Sequence, residues 1–330
     1  MAKIKLFLIF FLCILSLSAF KKNDKITVFM IGDSTMANKD IRGGKMERGW
    51  GMMLKNFFTE DIIVDNHALN GRSSKSFITE GHWQKVVEKI KPGDYVFIQF
   101  GHNDEKDDVK RHTDPGSTFD DNLRKFVKET RMRGGIPVLF NSVVRRIFTN
   151  SKTAIADDDT RSNSSAGLIE GDTLIDTHGD YLLSPRNVAR ELNVPFVDAN
   201  KITHDLEQNL GPEGSKKLHM WYLPNEISSL PKGRQDNTHY NVYGAYVVAG
   251  LLADAVCQVV PELQKYHCSY DVSVAKDGCG LYFDLQQAVD DIPMGMKATI
   301  LVWDGKWKKP IVGDGKKIEF VKRSGAVWEK

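Results

Sequence analysis

The sequence is 330 residues long and 41% hydrophobic, which is enough for one large domain or for one domain with an appendage. Its 45 basic and 43 acidic residues leave a formal net charge of only +2. This balance excludes the strong positive charge typical of proteins that bind nucleic acids or anionic membranes, and it leaves a small substrate of neutral or mixed charge open.

The N-terminus has the pattern of a secretory signal peptide. Lys3 and Lys5 precede an apolar run from Leu6 to Leu17, and small residues follow it. These features predict that the signal is removed by cleavage near Ala19. A membrane anchor is the alternative, but about a dozen apolar residues are too few to cross a bilayer comfortably. We therefore expect a secreted or periplasmic protein that does not contact the membrane after cleavage.

Between residues 25 and 262, short apolar runs alternate with helical patterns. The runs predict five strands, at Ile26–Ile31, Ile62–Asp65, Tyr95–Phe100, Pro137–Asn141 and Pro195–Val197. The helical patterns predict helices at Trp50–Phe58, Trp83–Ile90, Phe119–Arg133, Pro185–Leu192, Ile202–Leu210 and Val242–Val260. This alternation predicts an α/β fold, a three-layer α/β/α sandwich with a central parallel five-stranded sheet.

Polar segments follow the first three predicted strands. Gly32-Asp33-Ser34 follows the first, NHALNGRSSKSF (residues 66–77) the second and FGHND (residues 100–104) the third, while DNTHYNVYGA (residues 236–245) opens the last helix. Ligands of parallel sheets bind at the carboxyl ends of the strands. The sequence therefore predicts the functional site at this edge of the sheet.

A polar stretch at residues 145–180 predicts a long loop over the active face. It contains Asp157, Asp158 and Asp159, which raise the alternative of a calcium loop. The alternating acidic positions and the glycine of an EF-hand are absent, so a solvated loop is the favoured interpretation.

The pattern changes after Pro261. Residues 268–330 alternate in the manner of strands, with one amphipathic helix predicted at Leu285–Ile292. We place the boundary between two units at residues 262–270, so that the first unit covers residues 25–262.

Three cysteines remain after removal of the signal. Cys257 lies in an apolar helical run and is expected in the core. Three cysteines allow at most one disulfide, and the sequence leaves open whether Cys268 and Cys279 form it. No CxxC pair and no histidine at ligand spacing supports a metal site.

Asp236 and His239 are three residues apart in Asp-Asn-Thr-His. On one turn leading into a helix, this carboxylate would fix the imidazole tautomer and leave the other ring nitrogen to act as a base. A helix cap followed by an exposed histidine explains the same pattern. Ser34 supplies a nucleophile for such a base, and the chain order Ser, Asp, His is compatible with a catalytic triad.

An oxyanion hole needs preorganised hydrogen-bond donors near the nucleophile. The backbone N–H groups of Ser34 and Gly71 and the side-chain amide of Asn103 are candidates, although each residue also fits a plain role as a turn or cap. The full G-x-S-x-G elbow of α/β-hydrolases is absent here. Ser73 and Ser74 are rival serines, but they follow no strand of their own and are interpreted as supporting residues.

In combination, these blocks resemble the SGNH (GDSL-like) hydrolases, whose four invariant letters correspond here to Ser34, Gly71, Asn103 and His239. Within that superfamily the chain is most similar to rhamnogalacturonan acetylesterases, because it also contains two further blocks of their pattern, ERGWG (residues 47–51) and THGDY (residues 177–181). The resemblance covers about residues 25–260 and implies the SGNH fold.

The resemblance also implies roles and a substrate. Ser34 would be the nucleophile, His239 the general base and then acid, and Asp236 the residue that orients it. Ser34, Gly71 and Asn103 would form the oxyanion hole. The family removes acetyl groups from pectic polysaccharide or oligosaccharide, and it uses no metal and no other cofactor.

The residues expected to contact the substrate are aromatic or cationic, because such side chains suit an acidic sugar. They are Arg72, His102, His178, Trp221 and Tyr222. For Trp221, packing in the core is the favoured alternative. A monomer is expected. Rival functions are an esterase for another glycan such as acetylxylan, a lipase or thioesterase, and a non-catalytic glycan-binding protein.

The C-terminal unit resembles another family. Residues 274–293 (VAKDGCGLYFDLQQAVDDIP) are similar to the start of a pectin methylesterase, where V-A-x-D-G-x-G leads into the helix that caps a parallel β-helix, with a departure at Cys279. Solenoids need several stacked repeats, and the catalytic carboxylates of that family would lie further along the chain. We therefore expect a short truncated β-helix without a second activity.

Overall fold

The computed structural model describes residues 25–149 and 171–329. The strands before residue 242 are β1 Ile26–Gly32, β2 Glu47–Arg48, β3 Ile62–Asn66, β4 Tyr95–Gln99, β5 Ile136–Phe140, β6 Phe148–Thr149, β7 Thr173–Leu174, β8 Phe196–Val197, β9 His219–Tyr222 and β10 Arg234–Asn241. The α-helices before the C-terminal unit are α1 Trp50–Met53, α2 Ser74–Thr79, α3 His82–Val87, α4 Thr118–Met132, α5 Leu183–Leu192, α6 Ala199–Gly214 and α7 Val242–Val259. The predicted signal peptide and Asp157–Asp159 lie outside the described residues.

A five-stranded parallel sheet forms the centre of the first unit, in the order β3-β1-β4-β5-β8. All five strands coincide with the predicted apolar runs, so the prediction of a central parallel sheet is confirmed. Alternate residues of β1 point to opposite faces, and each set joins a separate apolar core: Val28 and Met30 on one face, Phe29 and Ile31 on the other. Helices cover both cores, which gives the three layers.

Several helix boundaries differ from the prediction. The segment predicted as one helix from Trp50 is α1 followed by a 3-10 turn at Leu54–Phe57, and α2 was not predicted at all. Helix α6 kinks at Gly211, whose φ is +70°, just after the predicted end at Leu210. Glycine and the following proline explain this break, because neither continues a helix well.

Helix α7 packs on the core beside β1. Its mean hydropathy of 1.6 over 18 residues makes it, within the described part of the chain, the one helix with the length and composition of a membrane span. Val248, Leu252 and Val256 are nevertheless buried in the core, and so is Cys257, as predicted. An apolar helix buried in this way is a core helix of the fold.

The start of the predicted 145–180 loop is packed into the protein, which corrects the expectation of a solvated loop there, whereas most residues at 171–180 keep some exposure. Arg145 and Arg146 are fully buried, and β6 pairs with β7 in a short antiparallel ladder. Arg146 is held by Asn237, whose Oδ1 accepts a 2.9 Å hydrogen bond, and its guanidinium lies over the Trp221 ring. Pairing of this kind makes arginine burial tolerable, and polarity alone did not predict it.

The C-terminal unit contains β11 Val272–Val274, helix α8 Leu285–Asp290, β12 Lys297–Val302, β13 Gly305–Trp307, β14 Lys317–Lys322 and β15 Ala326–Trp328. Its strands form two small parallel sheets, β11-β12-β14 and β13-β15, around a separate apolar core. Cys268 and Cys279 are both free thiols in the structure, which answers the open question of their pairing.

The C-terminal unit docks on the segment that contains β2, α1 and the following 3-10 turn. The Arg48 Nε donates to the Gly278 carbonyl at 3.0 Å, and the Asn56 amide donates to the Cys279 carbonyl at 2.6 Å. Trp303 closes the same contact by donating its indole N–H to the Asn56 Oδ1 at 2.7 Å. The two units therefore share buried polar contacts.

Candidate active site

Ser34, His239 and Asp236 form a continuous hydrogen-bonded triad. The Ser34 hydroxyl lies 3.0 Å from His239 Nε2, and His239 Nδ1 lies 2.9 Å from Asp236 Oδ2. Ser34 stands in the turn directly after β1, where the carboxyl end of the strand faces β10. These distances suit proton transfer from the hydroxyl to the imidazole and stabilisation of the resulting imidazolium by the carboxylate.

Asp236 and His239 lie in β10 and not at the start of a helix, which corrects the prediction for DNTH. The register of β10 against β9 shifts between Gln235 and Tyr240, and α7 begins only at Val242. In a regular strand, residues three apart point to opposite faces. The register shift lets the Asp236 carboxylate reach His239 Nδ1 while His239 Nε2 faces Ser34, so a three-residue spacing brings the two side chains together in a strand.

Asp236 is held as a carboxylate by several donors. Its Oδ1 accepts the backbone N–H groups of Thr238 and His239, at 2.8 and 2.9 Å, and its Oδ2 also accepts from Arg234. Burial alone would raise the pKa of Asp236, but the nearby His239 and Arg234 outweigh it and hold the pKa well below the usual range. The triad acid therefore stays ionised.

The predicted oxyanion-hole segments lie against the nucleophile strand and against each other. The Leu69 N–H donates to the Gly32 carbonyl at 3.0 Å, which places the Gly71 turn beside the end of β1. Gly71 has φ +72°, a conformation that disfavours side chains. The Asn103 side-chain amide donates to the Arg72 carbonyl at 3.2 Å, so it lies next to Gly71.

Asp104 joins these two segments, and sequence reasoning missed it. It is fully buried and accepts from the Ser74 N–H with both oxygens at 3.1 Å, from the Ser74 hydroxyl, and from the Thr113 hydroxyl at 2.9 Å. Burial raises the pKa of Asp104 to about 7 in spite of these donors. The residue next to Asn103 thus anchors the start of α2, three positions after Gly71. Ser74 is a supporting residue, as expected.

The ERGWG block supports the nucleophile turn. Trp50 donates its backbone N–H to the Thr35 carbonyl at 2.9 Å and its indole N–H to Gln99 at 2.8 Å. Gln99 in turn donates to the Thr35 hydroxyl, which donates to the buried Asp33. A Cβ on Gly49 would lie 2.3 Å from the Ala37 carbonyl, which explains the glycine there.

His102 and His178 are buried, which corrects their prediction as substrate-contacting residues. Each residue is 2% exposed, and the two rings pack edge to face with centroids 4.5 Å apart. His178 Nδ1 contacts Glu105 at 2.9 Å, and burial lowers the pKa of His102 well below its usual range. These neighbours place the pair in the packing behind the site.

The other three predicted substrate residues keep partial exposure. Arg72 pairs with Glu80 at 2.9 Å on the outer side of the Gly71 turn. Trp221 lies against Arg146 and donates its indole N–H to Asn237 at 2.9 Å. It is half-buried and belongs to none of the apolar clusters of the described residues, so its predicted packing in the core is not confirmed. Tyr222 is half-buried in β9, and burial raises the pKa of its phenol.

A chain of charged side chains connects Asp236 to the Gly71 turn, and it was not predicted. Arg234 contacts Asp236 and also donates to Glu47 Oε2 at 2.7 Å. Glu47 Oε1 contacts Lys39 Nζ at 2.8 Å, and Lys39 donates to Asn70 Oδ1 at 2.6 Å. Glu47 belongs to the ERGWG block, but it lies 187 positions from Arg234, so the sequence does not show that the two residues are partners.

Burial and charge act on this chain in opposite directions. Burial would raise the pKa of Glu47, but His239, Lys39 and Arg234 lower it to about 2. Burial lowers the pKa of Lys39 in spite of the Glu47 carboxylate. Within residues 25–149 and 171–329, no three His, Cys, Asp or Glu side chains are grouped so that they could hold a metal ion.

Comparison with known proteins identifies relatives of this chain. A model of the GDSL-like lipase/acylhydrolase family matches residues 30–222. Rhamnogalacturonan acetylesterase RhgT of Bacillus subtilis (strain 168) is 39% identical over 231 residues, which cover 70% of this chain and 89% of that protein. The probable rhamnogalacturonan acetylesterase YesY of the same strain is 28% identical over 233 residues, covering 69% and 91%.

A crystal structure of the Bacillus subtilis protein YxiM shares the fold of the first unit. Its TM-score is 0.55 at 22% sequence identity, and the similarity covers 71% of this chain and 56% of that one. The first unit and that protein therefore share the same fold.

Proposed function

Since the chain belongs to the GDSL-like lipase/acylhydrolase family and is an esterase, we propose that it removes acetyl groups from rhamnogalacturonan. The observation that best supports ester hydrolysis is the intact triad, with Ser34, His239 and Asp236 joined by contacts of 3.0 and 2.9 Å. RhgT is named a rhamnogalacturonan acetylesterase and YesY a probable one, which favours an acetylated glycan as the substrate.

In the proposed mechanism, the Ser34 oxygen attacks the acetyl carbonyl while His239 Nε2 accepts the hydroxyl proton. The negative charge on the carbonyl oxygen is stabilised by the Ser34 and Gly71 N–H groups and by the Asn103 amide. The bond between the acetyl carbon and the sugar oxygen then breaks, and the protonated His239 gives its proton to that oxygen, which leaves as the sugar hydroxyl. Water activated by His239 then cleaves the acetyl-Ser34 ester, which releases acetate and restores the serine. Asp236 orients the imidazole throughout.

The surroundings of the triad favour a polar substrate over a long acyl chain. The cavity next to Arg234, the residue that contacts Asp236, has a volume of about 320 Å³. Its lining combines charged and amide side chains, among them Lys39, Arg234 and Asn70, with a small apolar part from Met46, Met220 and Leu230. A lipase needs an extended apolar surface for its acyl chain. An acetylxylan esterase remains the second candidate from the same chemistry, because the triad itself does not distinguish one sugar from another.

Acetate release from acetylated rhamnogalacturonan and from acetylxylan, by the native protein and by Ser34→Ala, tests the proposal. We expect faster release from rhamnogalacturonan, and a loss of at least about 10⁴-fold in kcat in the variant with unchanged circular dichroism. Equal or reversed rates on the two polymers would refute the substrate assignment. Unchanged turnover in the variant would refute the serine mechanism, and binding of glycan without any turnover would favour a binding protein.

Two further expectations belong to this proposal. Export is supported by the N-terminal pattern of Lys3 and Lys5 before the apolar run, and it places the enzyme where it meets plant polysaccharide. A relation of the C-terminal unit to pectin methylesterases is supported by the V-A-x-D-G-x-G block at residues 274–280 and by the parallel pairing of its strands. Both fit an enzyme that acts on pectin.

A further inference from the structure

A cavity of about 320 Å³ is lined in part by residues that contact the triad or adjoin the oxyanion-hole turn, and its volume lies at the lower end of the range of small-molecule sites, ~300–1,000 Å³. One wall contains Arg234, which contacts the triad residue Asp236. The opposite wall contains Asn70, the residue before Gly71 in the oxyanion-hole turn. Through these two residues the cavity adjoins both the triad acid and the oxyanion-hole turn.

The lining of the cavity combines charge with an apolar surface. Three cations, Lys39, Lys45 and Arg234, face two carboxylates, Asp40 and Glu47. The cations therefore exceed the carboxylates by one. Lys45 and Asp40 form an exposed ion pair, and Asp40 also accepts from Arg42, so a bound carboxylate could replace Asp40 on Lys45 without leaving a buried charge unpaired.

The apolar part of the lining comes from methionine and leucine side chains. Met46, Met220 and Leu230 contribute it, and Met220 is fully buried while Met46 and Leu230 are half-buried. A sugar ring carries C–H groups on its faces and polar groups at its edge, so it matches a site with an apolar floor and a polar rim. A free inorganic anion would not use this floor.

We propose that this cavity is a subsite for a uronic acid residue, with Lys45 at its rim as the cation that recognises the sugar carboxylate. This proposal rests on the proposed function and specifies how the same site distinguishes an acidic glycan from a neutral one. Lys45 is 58% exposed and its ammonium lies 2.8 Å from Asp40. It can turn toward a ligand at small cost, because an exposed ion pair of this kind is weak.

Lys39 and Arg234 are less suited to direct recognition. The Lys39 side chain is 4% exposed, and its ammonium is engaged by Glu47 and Asn70. Arg234 already contacts Glu47 and Asp236. They shape the cavity and hold its walls, whereas Lys45 belongs to the exposed segment that closes it.

The test compares two substrates that differ only in the sugar carboxylate. Acetylated rhamnogalacturonan oligosaccharides are used with free carboxylates and with the carboxylates methyl-esterified. We expect the native protein to hydrolyse the free-acid form with a kcat/KM about fivefold higher, as an exposed charge pair allows. Lys45→Gln should bring this ratio close to one, and Lys45→Glu should invert it.

Lys89→Gln is the matched control. Lys89 is 51% exposed and contacts Asp65 at 3.3 Å, so it resembles the Lys45–Asp40 pair, but it does not line the cavity. In Lys89→Gln, the ratio of kcat/KM for the free-acid form to kcat/KM for the methyl-esterified form should equal that of the native protein. A native ratio of one, or an equal change in both lysine variants, overturns the subsite while the proposed function stands. Turnover of 4-nitrophenyl acetate without acetate release from either oligosaccharide overturns the proposed function and the subsite together.

Discussion

Asp104 shows how one side chain connects two parts of the active site that are far apart in sequence. It follows Asn103 directly, and it binds Ser74 at the start of α2. A short aspartate beside a functional asparagine gives no sequence signal for this role, because the same residue fits any polar turn. The role became visible only when both oxygens were seen to be buried and occupied.

Asp104→Ala should lower both stability and turnover. It leaves the Ser74 N–H, the Ser74 hydroxyl and the Thr113 hydroxyl without their acceptor, which costs about 1–3 kcal/mol for each buried group left unsatisfied. We also expect kcat for 4-nitrophenyl acetate to fall by roughly 10–100-fold, because the Gly71 and Asn103 donors lose their common anchor. Urea unfolding and steady-state kinetics measure the two effects.

Asp94→Ala is the control, since Asp94 is also buried and accepts the backbone N–H groups of Thr27 and Lys91, at 2.9 Å each. It should lose stability but keep kcat. An equal loss of kcat in both variants would mean that Asp104 acts only through stability.

The pKa of Asp104 adds a dependence on pH. Its pKa is raised to about 7 in the folded protein, whereas an unfolded aspartate titrates near ~3.9. Between these values the folded state binds more protons than the unfolded state, so this group makes stability fall as pH rises from about 4 to 7. Asp104→Asn cannot titrate at this position. The unfolding free energy of the variant minus that of the native protein should therefore increase with pH in that window.

At the scale of elements, α2 positions the Gly71 turn. The Ser73 hydroxyl caps the helix by accepting a hydrogen bond from the Ser76 N–H at 3.1 Å. The Ser76 hydroxyl in turn accepts one from the Ser73 N–H at 2.9 Å. The turn before it needs the positive φ of Gly71. Local backbone geometry, and not only the nature of the donors, therefore determines where the oxyanion-hole N–H points.

Gly71→Ala should keep the fold but lose activity. A Cβ at this position meets nothing within 4 Å, so the cost is the conformational one of a positive φ, ~1–2 kcal/mol. Relief of this strain would rotate the Gly71 N–H, and we expect kcat to fall by about 10²-fold.

Gly81→Ala provides a matched comparison, because Gly81 has φ +75° and an equally open surrounding at the start of α3. Both variants should show a similar loss of stability in thermal unfolding, and only Gly71→Ala should lose kcat. A normal kcat in Gly71→Ala would remove its N–H from the oxyanion hole.

The sequence predicted the elements better than their details. The five strands were evident because each is a short apolar run that ends at polar residues, and Ser34, Asp236 and His239 were found because their residue types fit one chemistry. The DNTH segment was assigned to a helix because a three-residue spacing is the helical one, whereas a bulge in β10 produces the same proximity. A register shift depends on the neighbouring strand, which a single sequence does not specify.

Partners from distant segments were beyond sequence reasoning for a related reason. The burial of Arg145 and Arg146 depends on Glu105 and Asn237, which lie elsewhere in the chain. Likewise, Arg234 and Glu47 are residue types that are common on protein surfaces, and the sequence does not show that they form an ion pair. Charged residues are predicted as exposed unless their partner is known.

At the scale of the whole molecule, the C-terminal unit rests on the segment that leads into the active site. Arg323 donates to the Phe58 carbonyl, and Ser324 donates to Glu60 at 2.7 Å, in addition to the contacts of Arg48 and Asn56. These contacts stop short of Ser34 and His239. The unit therefore contributes to stability more than to chemistry.

Deleting residues 271–330 should lower the melting temperature by roughly 5–10 °C, because several buried contacts are lost and each kcal/mol is worth ~2–4 °C in a protein of this size. Turnover of 4-nitrophenyl acetate at 25 °C should be retained. Trp303→Phe removes one hydrogen bond to Asn56 and should lower the melting temperature by only ~2–4 °C. Loss of turnover in a deletion variant that still folds would show that this unit shapes the active site.

The position of Glu47 limits how this enzyme can change its substrate. One carboxylate holds Arg234, which supports the triad, and Lys39, which forms the cavity wall. A substitution there alters catalysis and recognition at once, so natural variation of specificity is confined to side chains outside this shared contact. The exposed segment that carries Asp40 and Lys45 is such a place, and related esterases for other glycans should differ there while Glu47 and Arg234 change together or not at all.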